Sequence, residues 1–257
     1  MKIKNNTLNF TGQDIFVGID VHKKSWMITI LTEDIEHKTF SMSPQSSNLI
    51  SYLRRTFPQG HYICAYEAGF SGYWLQQELT NKGIRCIIVN PADVPQRDKD
   101  RRNKTDKVDS RRIAKALRNG QLEGIYVPKT EDIENRSLVR TRQAMVKNQT
   151  RCKNRIKSLL YLYGVEITEE QVQSYWSGNY IRKLEATGLL GPAAKTSLMI
   201  LIEELKNIKD LLCRLEMQIR ELSRSQGYID KVELLKTVPG VGLITAMILL
   251  TENYRHQ

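Results

Sequence analysis

The sequence is poor in cysteine, in aromatic residues and in long apolar runs. Its four cysteines, Cys64, Cys86, Cys152 and Cys213, lie far apart and form no C-x-x-C pair. This argues against a zinc ribbon and gives no support for a disulfide framework. The most apolar stretch, residues 243–250, is far shorter than the roughly 20 residues that span a membrane. No apolar segment follows the polar N-terminus, so we expect no signal peptide. These absences predict a soluble, cytoplasmic protein.

The composition is that of a folded protein with an uneven positive charge. The 257 residues are 40% apolar and 26% charged, which suits one large domain or two modest ones and is too apolar for a disordered chain. The net charge is +11. Residues 97–118 contain ten basic and four acidic side chains, and residues 136–157 contain eight basic and no acidic ones. Because a solubility surface mixes both signs, this concentration favours a nucleic-acid partner over an ordinary solvated basic face.

The nucleic-acid contacts that we predict come from these two segments and from one glycine turn. In the first segment they are Arg97, Lys99, Arg101, Arg102, Lys104, Lys107, Arg111 and Arg112. In the second segment they are Arg136, Arg140, Arg142, Lys147, Arg151, Lys153, Arg155 and Lys157. The turn is Pro239-Gly-Val-Gly242, between two apolar segments, which is typical of a helix–hairpin–helix. The amides of Gly240 and Gly242 can approach a phosphate closely there. A tight turn inside a helical core is an equally good interpretation.

The first half of the chain alternates between strand and helix patterns. Strands are predicted at Ile15–Asp20, Trp26–Leu31, His37–Met42, His61–Glu67 and Ile84–Val89. Helices are predicted from Pro44 through Leu53, over Ser71–Asn81, and from the N-cap Thr105 to Asn119. Hairpin strands followed by alternating helices and strands indicate an α/β fold, in which a mixed sheet carries helices on its faces.

Beyond residue 126 the pattern is helical. Glu131–Tyr163 has no glycine or proline and predicts one long basic helix. Over Ser197–Ser225, apolar residues follow alternating steps of three and four, which predicts coiled-coil packing, either within the chain or between subunits. The predicted domains are an N-terminal tail at 1–13, an α/β domain at 14–125, a basic helical and coiled-coil region at 126–230, and the beginning of a helical C-terminal domain at 231–257.

Four carboxylates are placed where they can meet. Asp20 and Glu67 end two apolar strands, and Asp106 and Asp109 lie three residues apart at the beginning of a helix, where they share one face. Singly, each has an ordinary explanation as a turn residue, a solvated strand end or a partner of the helix dipole. Together they are the hard oxygen ligands that a two-metal phosphoryl-transfer site requires, with Mg²⁺ as the expected ion.

The segments that carry these carboxylates resemble a known family. Gly18-Ile-Asp-Val-His-Lys, Tyr66-Glu-Ala-Gly and Lys104-Thr-Asp-Lys-Val-Asp-Ser-Arg-Arg-Ile-Ala are similar, in order and approximate spacing, to the three acidic motifs of the DEDD-type insertion-sequence transposases. This is insertion-sequence family one-ten, which includes the pilin-gene invertases. Val238-Pro-Gly-Val-Gly-Leu-Ile-Thr-Ala also resembles the beginning of the family's C-terminal transposase domain.

The resemblance implies a fold, an activity and partners. It implies a ribonuclease H-like (Holliday-junction-resolvase-like) domain in which Asp20, Glu67, Asp106 and Asp109 are the catalytic tetrad and bind Mg²⁺. It also implies a DNA recombinase of the bacterial cytoplasm and nucleoid, whose structured bridge RNA selects target and donor DNA by base pairing. We expect a homo-oligomer, a dimer or a tetramer. The alternatives are a truncated, non-catalytic RNA- and DNA-binding regulator of transposition and a stand-alone junction-resolving nuclease.

The family's mechanism also uses a serine of the C-terminal domain, which attacks DNA and forms a phosphoserine link. That serine lies some tens of residues beyond the Pro-Gly-Val-Gly segment, and no serine of this chain matches the position. Ser223 and Ser225 precede the segment. We therefore expect the serine region to be missing from this chain, which is then inactive alone or receives the serine from elsewhere.

Overall fold

The computed structural model describes residues 10–95, 105–165 and 176–252, and the chain forms two compact units. The first unit spans residues 1–127 and the second unit spans residues 128–257. The boundary falls just after the predicted end of the α/β domain. The second unit contains both the predicted helical region and the segment predicted to begin a separate C-terminal domain. Within the described ranges, no helix is long and apolar enough to cross a membrane.

The first unit is built on one five-stranded sheet. Its strands are β1 (Asp14–Val21), β2 (Trp26–Leu31), β3 (Glu36–Met42), β4 (His61–Glu67) and β5 (Arg85–Val89). The order across the sheet is β3-β2-β1-β4-β5. β2 pairs antiparallel with β1 and β3, whereas β4 pairs parallel with β1 and β5. The helices of this unit are α1 (Ser46–Thr56), α2 (Trp74–Asn81) and α3 (Asp106–Arg118).

The two faces of the sheet have different cores because side chains alternate along each strand. Ile15, Val17 and Ile19 of β1 are fully buried on one face, where they pack in a cluster with residues of α1 and α2. The opposite face is covered by α3, whose Ile113 and Leu117 pack with residues of β4 and β5. The alternation therefore directs Asp20, the penultimate residue of β1, and Glu67, the last residue of β4, toward α3.

Gly18 allows α3 to approach the sheet closely. A Cβ atom on Gly18 would lie 2.2 Å from the carbonyl oxygen of Ser110 and 2.4 Å from the amide nitrogen of Ala114. Both are backbone atoms of α3, so a side chain at this position has no room. The hydroxyl of Ser110 is fully buried and forms a 2.9 Å hydrogen bond with the hydroxyl of Thr29 in β2. These contacts fix the first turns of α3 beside β1.

The elements predicted for this unit are confirmed, and some of their ends differ by a few residues. β2 and β4 have the predicted bounds, and the N-cap Thr105 accepts a 3.4 Å hydrogen bond from the amide of Val108. α2 begins at Trp74 rather than Ser71, because the residues before Trp74 form turns. A mixed five-stranded sheet in this order, crossed by a helix that begins with two carboxylates, confirms the predicted α/β, ribonuclease H-like fold.

The second unit is helical. Its helices are α4 (Thr130–Leu162), α5 (Gly178–Ala186), α6 (Pro192–Ser223), α7 (Ile229–Lys236) and α8 (Leu243–Glu252). The two long helices, α4 and α6, run antiparallel: Arg155 pairs with Glu204, whereas Arg142 pairs with Glu216. α5 contributes apolar residues to the core between them. α7 and α8 form a second hydrophobic cluster with residues of both long helices.

The apolar heptad of α6 packs within the chain. Its buried members are Leu198, Leu205, Ile208, Leu212 and Ile219, and they lie in the clusters that α6 shares with α4. Of the two partners left open by the pattern, the structure places α4 of the same chain against this face. On α4 the residues buried in this shared cluster are Cys152, Ile156 and Leu160.

Candidate metal centre and nucleic-acid surface

The four predicted carboxylates come together at one edge of the sheet in the first unit. β1 and β4 are paired in parallel up to the residues just before Asp20 and Glu67, so both side chains leave the same face at the same level. Asp106 and Asp109 lie in the first turn of α3, which covers that face. The side chains of Asp20, Glu67 and Asp109 are 20%, 29% and 14% exposed, against 61% for Asp106. Three of the four carboxylates are therefore partly removed from water.

Asp20, His22 and Asp106 form a group that can hold a metal ion. His22 Nε2 lies 3.0 Å from Asp20 Oδ2 and 3.6 Å from Asp106 Oδ1, and one donor atom from each side chain lies within 4.8 Å of the others. Burial raises the pKa of Asp20; the charge and hydrogen bond of His22 oppose this effect, and the charges of Asp106 and Asp109 reinforce it. A cation held by this group would relieve the repulsion between the carboxylates.

Glu67 and Asp109 are joined by an arginine instead. Arg112 Nη2 lies 2.7 Å from Glu67 Oε1 and 3.2 Å from Asp109 Oδ1. The Arg112 side chain is 10% exposed. The carboxylate cluster therefore consists of two halves, the Asp20–His22–Asp106 half and the Glu67–Arg112–Asp109 half.

Two members of this cluster differ from the sequence-based expectation. His22 is not among the predicted site residues, although an extended segment directs residues i and i+2 to the same side, and its place two residues after Asp20 was an available signal. Arg112 is predicted from sequence to contact nucleic acid, whereas in the structure its side chain is 10% exposed and lies between Glu67 and Asp109. Its position three residues after Asp109 on a helix was the corresponding signal.

The first basic segment is only partly described by the structure. Arg97, Lys99, Arg101, Arg102 and Lys104 lie outside the described residues. Arg111 is paired with Glu36 of β3, with 2.6 Å between Arg111 Nε and Glu36 Oε1. Lys107 is exposed and forms no ion pair with a described residue. Among the described residues of this segment, Lys107 therefore carries the charge that is both exposed and without an ion pair. It adjoins Asp106 of the carboxylate cluster.

The basic side chains of α4 divide into an ion-paired set and an unpaired set. In the paired set, Arg136 and Arg140 bind Glu252, Arg142 binds Glu216, and Arg155 binds Glu204. Arg140 donates two hydrogen bonds to Glu252, at 2.7 and 2.6 Å, and these lower the pKa of that carboxyl group. The unpaired set, Lys147, Arg151, Lys153 and Lys157, makes no ion pair with any residue that the structure describes. The positive field of α4 is therefore concentrated in the second half of the helix.

The Pro239–Gly242 turn joins α7 and α8. Gly240 has a φ of +86°, in the left-handed region that glycine favours. Apart from each glycine and its two chain neighbours, no heavy atom of the described residues lies within 4 Å of a Cβ built on Gly240 or Gly242. The turn is therefore open on the side of both glycines, which leaves room for a phosphate. Contact with nucleic acid at this turn stays a prediction.

A ribonuclease H-like sheet that gathers four acidic side chains at one edge defines a DEDD-type domain. Comparison with known proteins gives the family. The profile of the DEDD transposase family of insertion sequence IS110, described as "Transposase", matches residues 17–165. This match covers more than half of the chain, and the chain belongs to that transposase family.

Similar proteins are named as transposases of insertion sequences. The chain is 28% identical over 245 residues to the transposase for insertion sequence element IS1533 of Leptospira borgpetersenii, which covers 93% of the chain and 69% of that protein. It is 31% identical over 169 residues to the putative transposase y4rJ of Sinorhizobium fredii, covering 59% and 42%. It is 24% identical over 237 residues to the transposase for insertion sequence element IS1328 of Yersinia enterocolitica, covering 88% and 68%. The chain thus spans 42% to 69% of the lengths of these relatives.

Proposed function

We propose that this chain supplies the metal-binding domain of a DNA transposase that cuts and rejoins insertion-sequence DNA by phosphoryl transfer. The observation that carries the proposal is the convergence of Asp20, His22 and Asp106 within 4.8 Å, with Glu67 and Asp109 beside them. Membership of the transposase family supports the reaction class. The carboxylate geometry supports the participation of a divalent metal.

The donor set of the Asp20–His22–Asp106 half fits a divalent cation. Carboxylate oxygens suit Mg²⁺, and carboxylates combined with an imidazole also suit Mn²⁺. We propose Mg²⁺ as the physiological ion, held by Asp20 and Asp106. In a two-metal site, Glu67 and Asp109 would hold the second ion. When bound, such ions supply positive charge to the attacking and leaving oxygens of the phosphate.

The protein's own groups keep these ligands in place. β1 holds Asp20 at a partly buried sheet edge, and the 3.0 Å hydrogen bond with His22 Nε2 fixes its carboxylate. The family resemblance implies a nucleophilic serine, and two of the described serines do not supply it. Ser110 is fully buried and bonded to Thr29, and Ser223 is 4% exposed and donates to the carbonyl of Arg220. Neither hydroxyl is available to attack DNA.

Replacing Asp20 by asparagine should weaken Mn²⁺ binding by more than about tenfold, the lower end of the loss found for changes in outer-shell groups of metal sites. Isothermal titration calorimetry measures this affinity directly.

Because burial raises the pKa of Asp20, protons compete with the metal at higher pH than at an exposed aspartate. The affinity of the unmodified protein should therefore fall as the pH is lowered through this raised pKa.

The control for this experiment is Asp34→Asn, which removes an exposed carboxylate from the same unit. It should bind Mn²⁺ as the unmodified protein does. Equal affinities in the Asp20 and Asp34 variants contradict the metal site.

We propose in addition that a structured bridge RNA is a partner and that α4 contacts its phosphates. Lys147, Arg151 and Lys157 are exposed and lack an acidic partner among the described residues. Lys147 and Arg151 are four residues apart and share one side of the helix. These charges, rather than the glutamate-bound arginines, are the ones free to neutralise phosphate. The same contacts would serve a non-catalytic regulator of transposition. Binding of RNA without binding of metal would favour that alternative function.

Replacing Lys147, Arg151 and Lys157 by glutamine should lower RNA affinity and flatten its salt dependence. Each lost phosphate contact reduces the log–log salt slope by about 0.7 to 0.9, so the triple variant should lose about 2 to 3 from the slope. Filter binding across a salt series, with a structured RNA and with duplex DNA of equal charge, measures both effects.

A matched pair of single variants separates free from neutralised charge. Arg151→Gln removes an unpaired arginine, and Arg155→Gln removes an arginine bound to Glu204 one turn away. The first should flatten the slope more than the second. An unchanged slope in the triple variant would show that α4 is not the RNA surface, and tighter binding of duplex DNA would contradict the RNA partner.

A further inference from the structure

The Glu67–Arg112–Asp109 half of the cluster contains a cation that belongs to the chain itself. Arg112 Nη2 lies 2.7 Å from Glu67 Oε1 and 3.2 Å from Asp109 Oδ1. A single nitrogen thus serves both carboxylates, whereas a side-on arginine–carboxylate pair uses two parallel hydrogen bonds. The guanidinium therefore lies between the two acids as a shared positive charge.

This position is costly for the arginine. Its side chain is 10% exposed, and its Nε is buried without a hydrogen-bond partner among the described residues. A buried donor that is left unsatisfied on a charged group destabilises the fold. The compensation comes from Glu67 and Asp109, which are themselves largely shielded and would repel each other without a cation.

We infer that Arg112 takes the place of a metal ion in this half and restricts the nucleic-acid-free protein to one divalent ion, at the Asp20–His22–Asp106 half. The inference rests on the proposed function, because it requires that the cluster binds metal. A guanidinium and a divalent ion at the same two carboxylates repel each other and use the same oxygen lone pairs. Arg112 is thus a positioning residue that holds Glu67 and Asp109 together while it excludes a second ion.

The neighbouring arginine provides a matched control. Arg111 adjoins Arg112 on α3, but its side chain is 43% exposed and is bound to Glu36 of β3. Its removal deletes the same charge from the same helix without opening the carboxylate cluster. Effects of net charge on metal binding therefore appear equally in both variants, and effects of the cluster appear only in the Arg112 variant.

Titration of the full chain with Mn²⁺, in the absence of nucleic acid, tests the inference. Calorimetry counts the ions bound per chain, and electron paramagnetic resonance detects spin coupling between neighbouring ions, which lie about 4 Å apart in two-metal sites. We expect one Mn²⁺ in the unmodified protein and in Arg111→Met. We expect two in Arg112→Met, with a spin-coupled signal. A purely structural role of Arg112 would change the unfolding temperature but would not raise the metal content.

Each other outcome has a distinct meaning. If the unmodified protein binds one Mn²⁺ through Asp20 and Arg112→Met also binds one, the inference is wrong and the metal site of the proposed function stands. Two ions in the unmodified protein also overturn the inference. If no form binds Mn²⁺, the proposed function fails first. Should Arg112→Met not fold, the neutral Arg112→Gln, which keeps an amide donor for Glu67, should bind the second ion, and a single ion in that variant overturns the inference.

Discussion

Replacement of Gly18 by alanine is expected to destabilise the first unit by about 3 kcal/mol or more and to weaken Mn²⁺ binding. Overpacking a core usually costs about 1–3 kcal/mol and sometimes more. Here the added Cβ would lie 2.2 Å from the carbonyl oxygen of Ser110 and 2.4 Å from the amide nitrogen of Ala114. Backbone atoms of a helix cannot rotate away, so α3 must shift as a body. That shift moves Asp106 and Asp109 away from the ends of β1 and β4.

Urea unfolding gives the loss of stability, and calorimetry with Mn²⁺ gives the loss of the site. Gly69→Ala is the control, because a Cβ at Gly69 meets no heavy atom of the described residues within 4 Å apart from its chain neighbours. Its stability should stay within about 0.5 kcal/mol of the unmodified protein. A Gly18→Ala protein with unchanged stability and metal affinity would show that close packing of α3 is not what positions the carboxylates.

Replacement of both Leu205 and Leu212 by aspartate is expected to abolish the cooperative unfolding of the second unit. Leu205 is fully buried and Leu212 is 8% exposed, in the cluster that α6 shares with α4 and α5. Truncating one buried leucine to alanine costs about 2–5 kcal/mol, and burying a carboxylate adds a further penalty. For two such replacements, the summed loss in the free energy of unfolding approaches or exceeds the whole stability of a typical domain, about 5–15 kcal/mol.

Far-ultraviolet circular dichroism during thermal unfolding measures this effect, and sedimentation equilibrium measures the mass. The control on the same helix replaces Ile200 and Leu211, which are 61% and 39% exposed, by aspartate and should unfold much as the unmodified protein does. Loss of stability in the buried pair with unchanged mass agrees with packing inside one chain. Loss of mass without loss of stability would instead place this face of α6 between subunits of the expected homo-oligomer.

Local sequence patterns predict most strands of the first unit, because each strand contributes its own apolar residues to the core. Trp26–Leu31 and His61–Glu67 are strands with the predicted bounds, since each is a short run of apolar and β-branched or aromatic residues between polar turns. The sequence also places Asp20 and Glu67 near the ends of two strands, and the parallel pairing of β1 with β4 in the structure brings these two strand ends together. The cap at Thr105 fixes the beginning of α3 and hence the place of Asp106.

The charges could not be predicted in the same way because their partners are distant in sequence. Arg142 is bound to Glu216, 74 residues away, and Arg140 is bound to Glu252, 112 residues away. A charge count along α4 therefore overstates the field that a phosphate would meet. For the same reason, the sequence places Arg112 among the nucleic-acid contacts, whereas the packing of α3 on the sheet brings it to Glu67 of β4.

Anomalous scattering from a crystal of the full chain soaked in Mn²⁺ tests the central claim most directly, since it locates the ion without reference to activity. A metal-binding DEDD cluster predicts an anomalous peak bounded by the side chains of Asp20, His22 and Asp106, with Arg112 still in place between Glu67 and Asp109. Absence of any peak at these carboxylates under saturating Mn²⁺ would contradict the metal site and, with it, the proposed phosphoryl-transfer function of this chain.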